Sequence, residues 1–411
     1  MGKLSSKRIW QIALIMSFWF VISFITNILG PLIPDIISNF SLKNLALAGF
    51  IPTSFFVAYA VMSIPAGLMI EKWGEKRVLL FGFLMPFIGS LLFAFLHTYP
   101  VLLCSCFIIG LGMAMLQTVL NPLQRTVGGE ENYAFVGELG QLVFSCASFI
   151  SPLVYTYYVK NPMSIVPPEL PWVSLYYLFA VILIFMIFAV LLCKFPKIEL
   201  RNDEKSGTKS SYFELFKKRY VWLFALGIFC YVSTEQGTSI YMSTFLEKYH
   251  SVDPQILGAH TVAYFWGSML VGCVLGLVLL KLFDSKKLLR CSGYLASVLL
   301  AVALFGSRQT ALFCFPAIGF SISMMYSIIF SLALNSAAEH HGSFAGILCS
   351  AIVGGAVGPL LIGLLSDATG SLRIGMFLIF AFIFYMTSIG FWAKPIVSNK
   401  TVLDKKMFNV T

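Results

Sequence analysis

Charge is what this sequence has least of. Only 11% of its 411 residues are Asp, Glu, Lys or Arg, while 58% are hydrophobic. Ordinary soluble domains carry about 25% charged residues. A chain this poor in charge cannot cover a water-facing surface, which excludes a soluble globular domain and leaves a polytopic membrane protein. Paired cysteine is missing too. The nine cysteines (Cys104, Cys106, Cys146, Cys193, Cys230, Cys273, Cys291, Cys314, Cys349) are scattered through apolar runs with no CxxC pair. That excludes a disulfide frame and a zinc-type metal site, and the thiols read as small buried hydrophobes. P-loop, GxSxG and metal-spaced carboxylates are also absent, so neither an ATP-driven nor an enzymatic role has support, and no cofactor is expected. Met1–Arg8 is basic, but the apolar run behind it is too long for the core of a cleavable leader.

What is present is a succession of apolar runs. Twelve spans are expected, near 9–31, 46–70, 78–97, 100–123, 134–157, 172–195, 220–246, 258–282, 288–306, 310–336, 343–365 and 373–394. Each is near the length of roughly 20 residues that crosses a bilayer as a helix. The formal net charge of +10 does not point to nucleic acid, because the basic residues collect in particular loops. With both termini placed in the cytoplasm, all but five of the 28 Lys and Arg (Lys43, Lys160, Lys248, Arg308 and Arg373) lie inside, as the positive-inside rule requires. The longest polar stretch, 196–219, reads as a cytoplasmic linker. It separates two six-helix bundles, 1–195 and 220–394, and a short basic tail follows at 395–411. A weak repeat supports two related halves: Gly67-Leu-Met-Ile-Glu-Lys72 ends span two, and Gly276-Leu-Val-Leu-Leu-Lys281 ends span eight.

One stretch stands apart, Phe229-Cys-Tyr-Val-Ser-Thr-Glu-Gln-Gly-Thr238. Glu235 and Gln236 fall near the middle of span seven, where an ionised carboxylate costs several kcal/mol and marks a functional site by default. No Lys or Arg stands at the centre of any span to neutralise it. Glu235 could therefore carry a proton, hold Na⁺ or accept hydrogen bonds from a solute. Tyr231, four residues earlier, shares its face. A second acid, Glu138, lies about one turn into span five with Gln141 three residues on; a structural pair with Arg125 or a cytoplasmic-end network is the alternative to coupling for it.

Gly67-Leu-Met-Ile-Glu71-Lys72-Trp-Gly74-Glu-Lys76-Arg77 resembles the signature loop of the major facilitator superfamily, with Glu71 for the usual Asp and Glu75 for the first base after Gly74. Within that superfamily the chain is similar to the fucose–galactose–glucose symporter family. The resemblance rests on Asn27-Ile-Leu-Gly-Pro31-Leu-Ile-Pro34, on Gly110-Leu-Gly112 through Gln117-Thr-Val-Leu-Asn121-Pro122, and on Phe229-Cys-Tyr231 through Glu235. It continues with Tyr326-Ser-Ile-Ile-Phe330 and with Gly354-Gly355-Ala-Val-Gly358-Pro359 through Gly370. It implies an all-α membrane protein of twelve helices in two bundles, a major facilitator fold with a cytoplasmic gate at Gly67, Glu71, Lys72, Gly74, Lys76 and Arg77. Carboxylates that some family members carry in the first half are replaced here by Asn27 and Gln117, other members share the span-four Gln and the span-seven Glu, and Cys273 stands where members often carry Arg.

A sugar presents a ring of hydroxyls and no charge, so its site needs amides, a carboxylate and aromatic faces. Asn27, Gln117, Asn121, Gln141, Tyr231, Glu235, Gln236, Trp266 and Tyr326 are the candidate ligands, with interhelical glue as the other role open to the amides. Glu235 and Glu138 are the candidate proton-coupling acids. The resemblance implies a monosaccharide importer working by alternating access, with H⁺ symport. Na⁺ coupling, uncoupled passage and export of another small solute remain alternatives on the same fold. A receptor on this scaffold would need a signalling domain, for which Lys394–Thr411 is too short. The partners expected are the sugar, H⁺ or Na⁺ and the lipid bilayer of the plasma (inner) membrane, with the chain monomeric.

Overall fold

The computed structural model describes residues 6–42, 45–128, 133–192, 209–253, 257–337, 341–396 and 401. The first half of the chain forms α1 (Ser6–Asn27), α2 (Leu29–Asn39), α3 (Leu45–Trp73), α4 (Glu75–Phe95), α5 (Tyr99–Gly128), α6 (Tyr133–Lys160) and α7 (Ser174–Leu192). The second forms α8 (Lys209–Lys217), α9 (Arg219–His250), α10 (Ala259–Leu282), α11 (Ser285–Phe305), α12 (Arg308–Ile322), α13 (Met325–Asn335), α14 (His341–Ser350), α15 (Gly354–Thr369), α16 (Leu372–Met376) and α17 (Leu378–Trp392). No strand occurs among the described residues. In hydrocarbon every backbone N–H and C=O must be satisfied within the segment, which an α-helix does.

Among the described residues, eleven segments are long and apolar enough to cross a membrane. The twelfth expected span, α9, falls short of them. Its buried middle carries Ser233, Thr234, Glu235, Gln236, Thr238 and Ser239 in succession. A helix that is polar where it is buried has to put those groups against protein or a cavity. Side chains such as Val181, Phe185, Phe188 and Phe313 are exposed on the outside instead, where they suit lipid.

Four spans are broken among the described residues, the first, tenth, eleventh and twelfth, and local chemistry explains the first two of these breaks. The first runs from α1 into α2 through Ile28. Pro31 has no N–H to offer the carbonyl of Asn27. The tenth is divided between α12 and α13 at Ser323-Met324. There the Ser323 hydroxyl donates to the carbonyl of Phe320 at 2.9 Å, a back-bond that competes with the helical ladder. The break comes nearly two turns before Phe330 and just ahead of Tyr326 and Ser327.

In the first half α4 packs on α5 and α7, α3 on α5, and α1 on α6; in the second, α10 and α11 pack on α12, and α9 on α15 and α17. The two halves meet where α3 lies on α14 and α15, and where α6 lies on α10. The α9–α15 seam is tight. Ser233 donates its hydroxyl to Gly354 O at 2.9 Å, and a Cβ on Gly358 would collide with the Ser233 side chain.

At the signature loop, Gly74 caps α4 with φ 78° and ψ 161°, a conformation essentially reserved for glycine. A Cβ there would touch nothing, so this glycine is required by the turn between α3 and α4. Lys76 donates to Leu191 O at 2.9 Å, Lys72 and Arg77 are exposed, and Gly67 lies within α3. The side chains of Glu71 and Arg125 lie outside the described residues, so the pairings expected of them are not seen. Of the expected linker, 196–208 is likewise outside them, and 209–217 is the helix α8, which packs on α14.

Candidate functional site

Where α1, α5, α6 and α13 converge, one pocket is lined by Trp19, Asn121, Gln124, Gly137, Gly140, Gln141, Tyr326, Ser327 and Phe330. Each helix supplies its part by simple spacing. Gln117, Asn121 and Gln124 recur at steps of four and three on α5, hence on one face. Gly137, Gly140 and Gln141, at i, i+3 and i+4, share one face of α6. The break before α13 aims Tyr326, Ser327 and Phe330 inward, and the Tyr326 and Phe330 rings lie 5.6 Å apart at 36°.

The α6 glycine at the centre is a gap filled by other helices. A Cβ on Gly140 would run into Gln124 Nε2 and stand 3.4 Å from Trp19 Nε1. Those two N–H donors are buried and have no hydrogen-bond partner; nor do Ser327 Oγ and the two carboxylate oxygens of Glu138 beside it. Buried polar atoms are nearly always paired in native proteins. Donors, acceptors and aromatic rings gathered around one pocket are the groups that a neutral, hydroxyl-rich guest would need.

Of the residues singled out in the sequence, Asn121, Gln141 and Tyr326 line this pocket. Asn121 donates to Gln117 O at 3.0 Å and approaches Cys349 Sγ on α14 at 3.3 Å. Gln117 donates to the Tyr59 hydroxyl at 3.3 Å, one turn from the pocket. Tyr231 stacks its ring 5.4 Å from that of Tyr326 and donates its hydroxyl to Glu235 Oε1 at 3.4 Å. Glu235 is 5% exposed with Gln236 beside it, so this pair reaches the pocket through Tyr231 and Tyr326.

Two candidates lie elsewhere. Asn27 spends its amide on Ser148 Oγ at 2.8 Å and on Ser23 O at 3.2 Å, in a polar seam between α1 and α6. Trp266 is buried against Phe265 on α10, with ring centroids 5.4 Å apart. Trp19, Gln124, Ser327 and Phe330 were not expected from sequence as site residues. Gln124 had a signal, the continuing period after Gln117 and Asn121. Trp19 had none, standing among aromatics in an apolar run.

Residues 15–352 match the Major Facilitator Superfamily. The chain is 31% identical over 379 residues to a protein named glucose/galactose transporter from Brucella abortus, covering 89% of this chain and 90% of that one. It is 24% identical over 395 residues to the L-fucose-proton symporter of Escherichia coli, covering 90% and 89%. The crystal structure of a variant of the E. coli fucose:proton symporter superposes with a TM-score of 0.76 at 22% identity, over 93% of this chain and 99% of that one. An all-helical chain with eleven apolar spans among its described residues, matched over residues 15–352, has one reading: the chain belongs to the major facilitator superfamily.

Proposed function

We propose that the protein imports a monosaccharide, a hexose of the glucose, galactose or fucose kind, by alternating access coupled to proton symport. One observation carries the reading. Trp19 Nε1, Gln124 Nε2 and Ser327 Oγ are buried and unpartnered around a pocket that also holds Asn121, Gln141, Tyr326 and Phe330. Amides and hydroxyls bind sugar hydroxyls, and rings cover the apolar face of a pyranose; an ionic solute would require an opposite charge that no lining residue carries. The names of the relatives support the same substrate class.

In this reading the bundles 1–195 and 220–394 rock about the pocket, and α3–α15 and α6–α10 contacts are remade as the open side changes. Both termini face the cytoplasm, and the chain acts as a monomer in the plasma (inner) membrane. Gly67, Glu71, Lys72, Gly74, Lys76 and Arg77 form the cytoplasmic gate. Glu235 is the coupling carboxylate: protonated, it sits in α9 without a counter-charge and donates to or accepts from Tyr231 and the sugar. Na⁺ replacing H⁺ is the second reading, favoured by uncharged Asn27 and Gln117 in the first half.

Uptake of labelled glucose, galactose, fucose and mannose into proteoliposomes tests this, with a proton gradient, a Na⁺ gradient or neither. Saturable accumulation of a hexose driven by the proton gradient is expected. Absence of saturable uptake of every hexose rejects the sugar reading, and dependence on Na⁺ alone rejects the proton. Glu235→Gln is expected to abolish accumulation while sugar counterflow remains measurable. Unchanged accumulation in that variant removes Glu235 from coupling.

A further inference from the structure

Glu138 belongs to the first half of the chain, yet its carboxylate points into the second. It is completely buried. Its Oε1 would stand 3.2 Å from a Cβ on Gly276 of α10, and it faces Cys273 of α10 and Ser327 of α13. Ser327 and Cys273 come close enough to act on the carboxylate, but neither of its oxygens nor Ser327 Oγ reaches good hydrogen-bond geometry. Among the described residues, the titratable groups that act on it carry no positive charge. They are Cys273 on α10 and, on α9, Tyr231, whose hydroxyl interacts with both Glu235 and Glu138. The Arg125 side chain lies outside the described residues. Asp35 is engaged with Tyr155 at the far end of α6. An ionised carboxylate buried with no opposite charge is costly enough that such a group neutralises instead.

We propose that Glu138 is a second proton-carrying carboxylate, shut between the two halves in this state and opened to water when α6 parts from α10 and α13. This rests on the symport reading and deepens it, since it makes the closure of the bundle interface itself depend on a proton. On opening, the carboxylic O–H bond breaks, its electron pair stays on the carboxylate, and the proton passes to water in the cleft. The charged form then resists reburial against Cys273, Ser327 and Gly276 until a proton is regained. Glu235 and Glu138 flank Tyr231 from the two halves, so sugar binding beside Tyr326 is placed to sense both.

Two measurements on the reconstituted full chain test it. Infrared difference spectra across a pH titration, with no sugar present, are expected to show a protonated-carboxyl C=O band that disappears at high pH and is missing in Glu138→Gln. Ser327→Ala, which keeps the acid, is expected to move the midpoint of that band. Proton uptake accompanying glucose or galactose entry is expected to fall by roughly half per sugar in Glu138→Gln, one of two carriers being removed. A band present in wild type and unaltered by Glu138→Gln overturns the proposal, because the group is then ionised throughout. A lost band with an unchanged proton-to-sugar ratio also overturns it, leaving Glu138 as a static neutral acid while symport stands. Sugar entry with no proton uptake in wild type is the distinct failure of the symport reading, and the proposal falls with it.

Discussion

At the scale of single residues, the informative atoms are buried donors that lack a partner. Trp19 Nε1 and Gln124 Nε2 approach the bare Cα of Gly140 from two other helices. If they bond sugar hydroxyls, removing one donor while keeping the ring should weaken binding without disturbing the fold. Trp19→Phe is expected to raise the half-saturation concentration about fivefold, since one neutral hydrogen bond is worth roughly 1 kcal/mol. Initial rates of hexose uptake at graded concentration check this; an unchanged value would assign Trp19 to packing. Asn27 is the contrasting case. Its amide hydrogens are already spent on Ser23 and Ser148, which is the use that most polar groups in membrane helices find.

At the scale of elements, α9 is held in place by close approach to α15. Ser233 and Gly354 share a 2.9 Å hydrogen bond, and Gly358 leaves no room for a methyl group against Ser233. Glu235 lies two residues beyond Ser233, so this seam also sets where the acid points. Gly358→Ala is expected to cost about 1–3 kcal/mol through overpacking and to lower the unfolding temperature in detergent. Gly49→Ala, where a Cβ would meet nothing, is the matched control and is expected to leave that temperature unchanged. Equal behaviour of the two variants would show that α15 can shift away from α9 at little cost.

For the whole molecule the question is whether the contacts between halves are remade during transport. Asn121 on α5 and Cys349 on α14 face each other across the halves, Nδ2 to Sγ at 3.3 Å. Asn121→Cys puts two thiols at that crossing. Oxidation is expected to link them and to stop uptake, with recovery on reduction, while Asn121→Cys combined with Cys349→Ala stays insensitive to oxidant. Uptake that continues after complete cross-linking, verified by mass spectrometry of the linked peptides, would show that α5 and α14 do not separate.

From the order of its residues alone, this chain is committed to a membrane, to about twelve helices and to one expensive acid in the seventh span. Those properties follow from hydropathy, length and charge, which are sums over neighbours in sequence. The signature loop was legible for the same reason: Gly74 must take a backbone conformation set by its own φ and ψ. The site was legible only in part. Asn121, Gln141 and Tyr326 were readable as polar or aromatic groups within apolar runs, and Gln124 as the next step of the Gln117 and Asn121 period. Trp19 and Ser327 were not, because their meaning is an unpaired atom facing a pocket, and pairing is decided by residues hundreds of positions away. Tertiary structure alone separated Asn27, satisfied by Ser23 and Ser148, from Asn121 at the pocket, although both are amides buried in spans. It alone set Glu138 of the first half against Cys273 and Ser327 of the second. Burial of an acid against neutral groups is a property of two packed surfaces, and neither surface carries it in its own sequence.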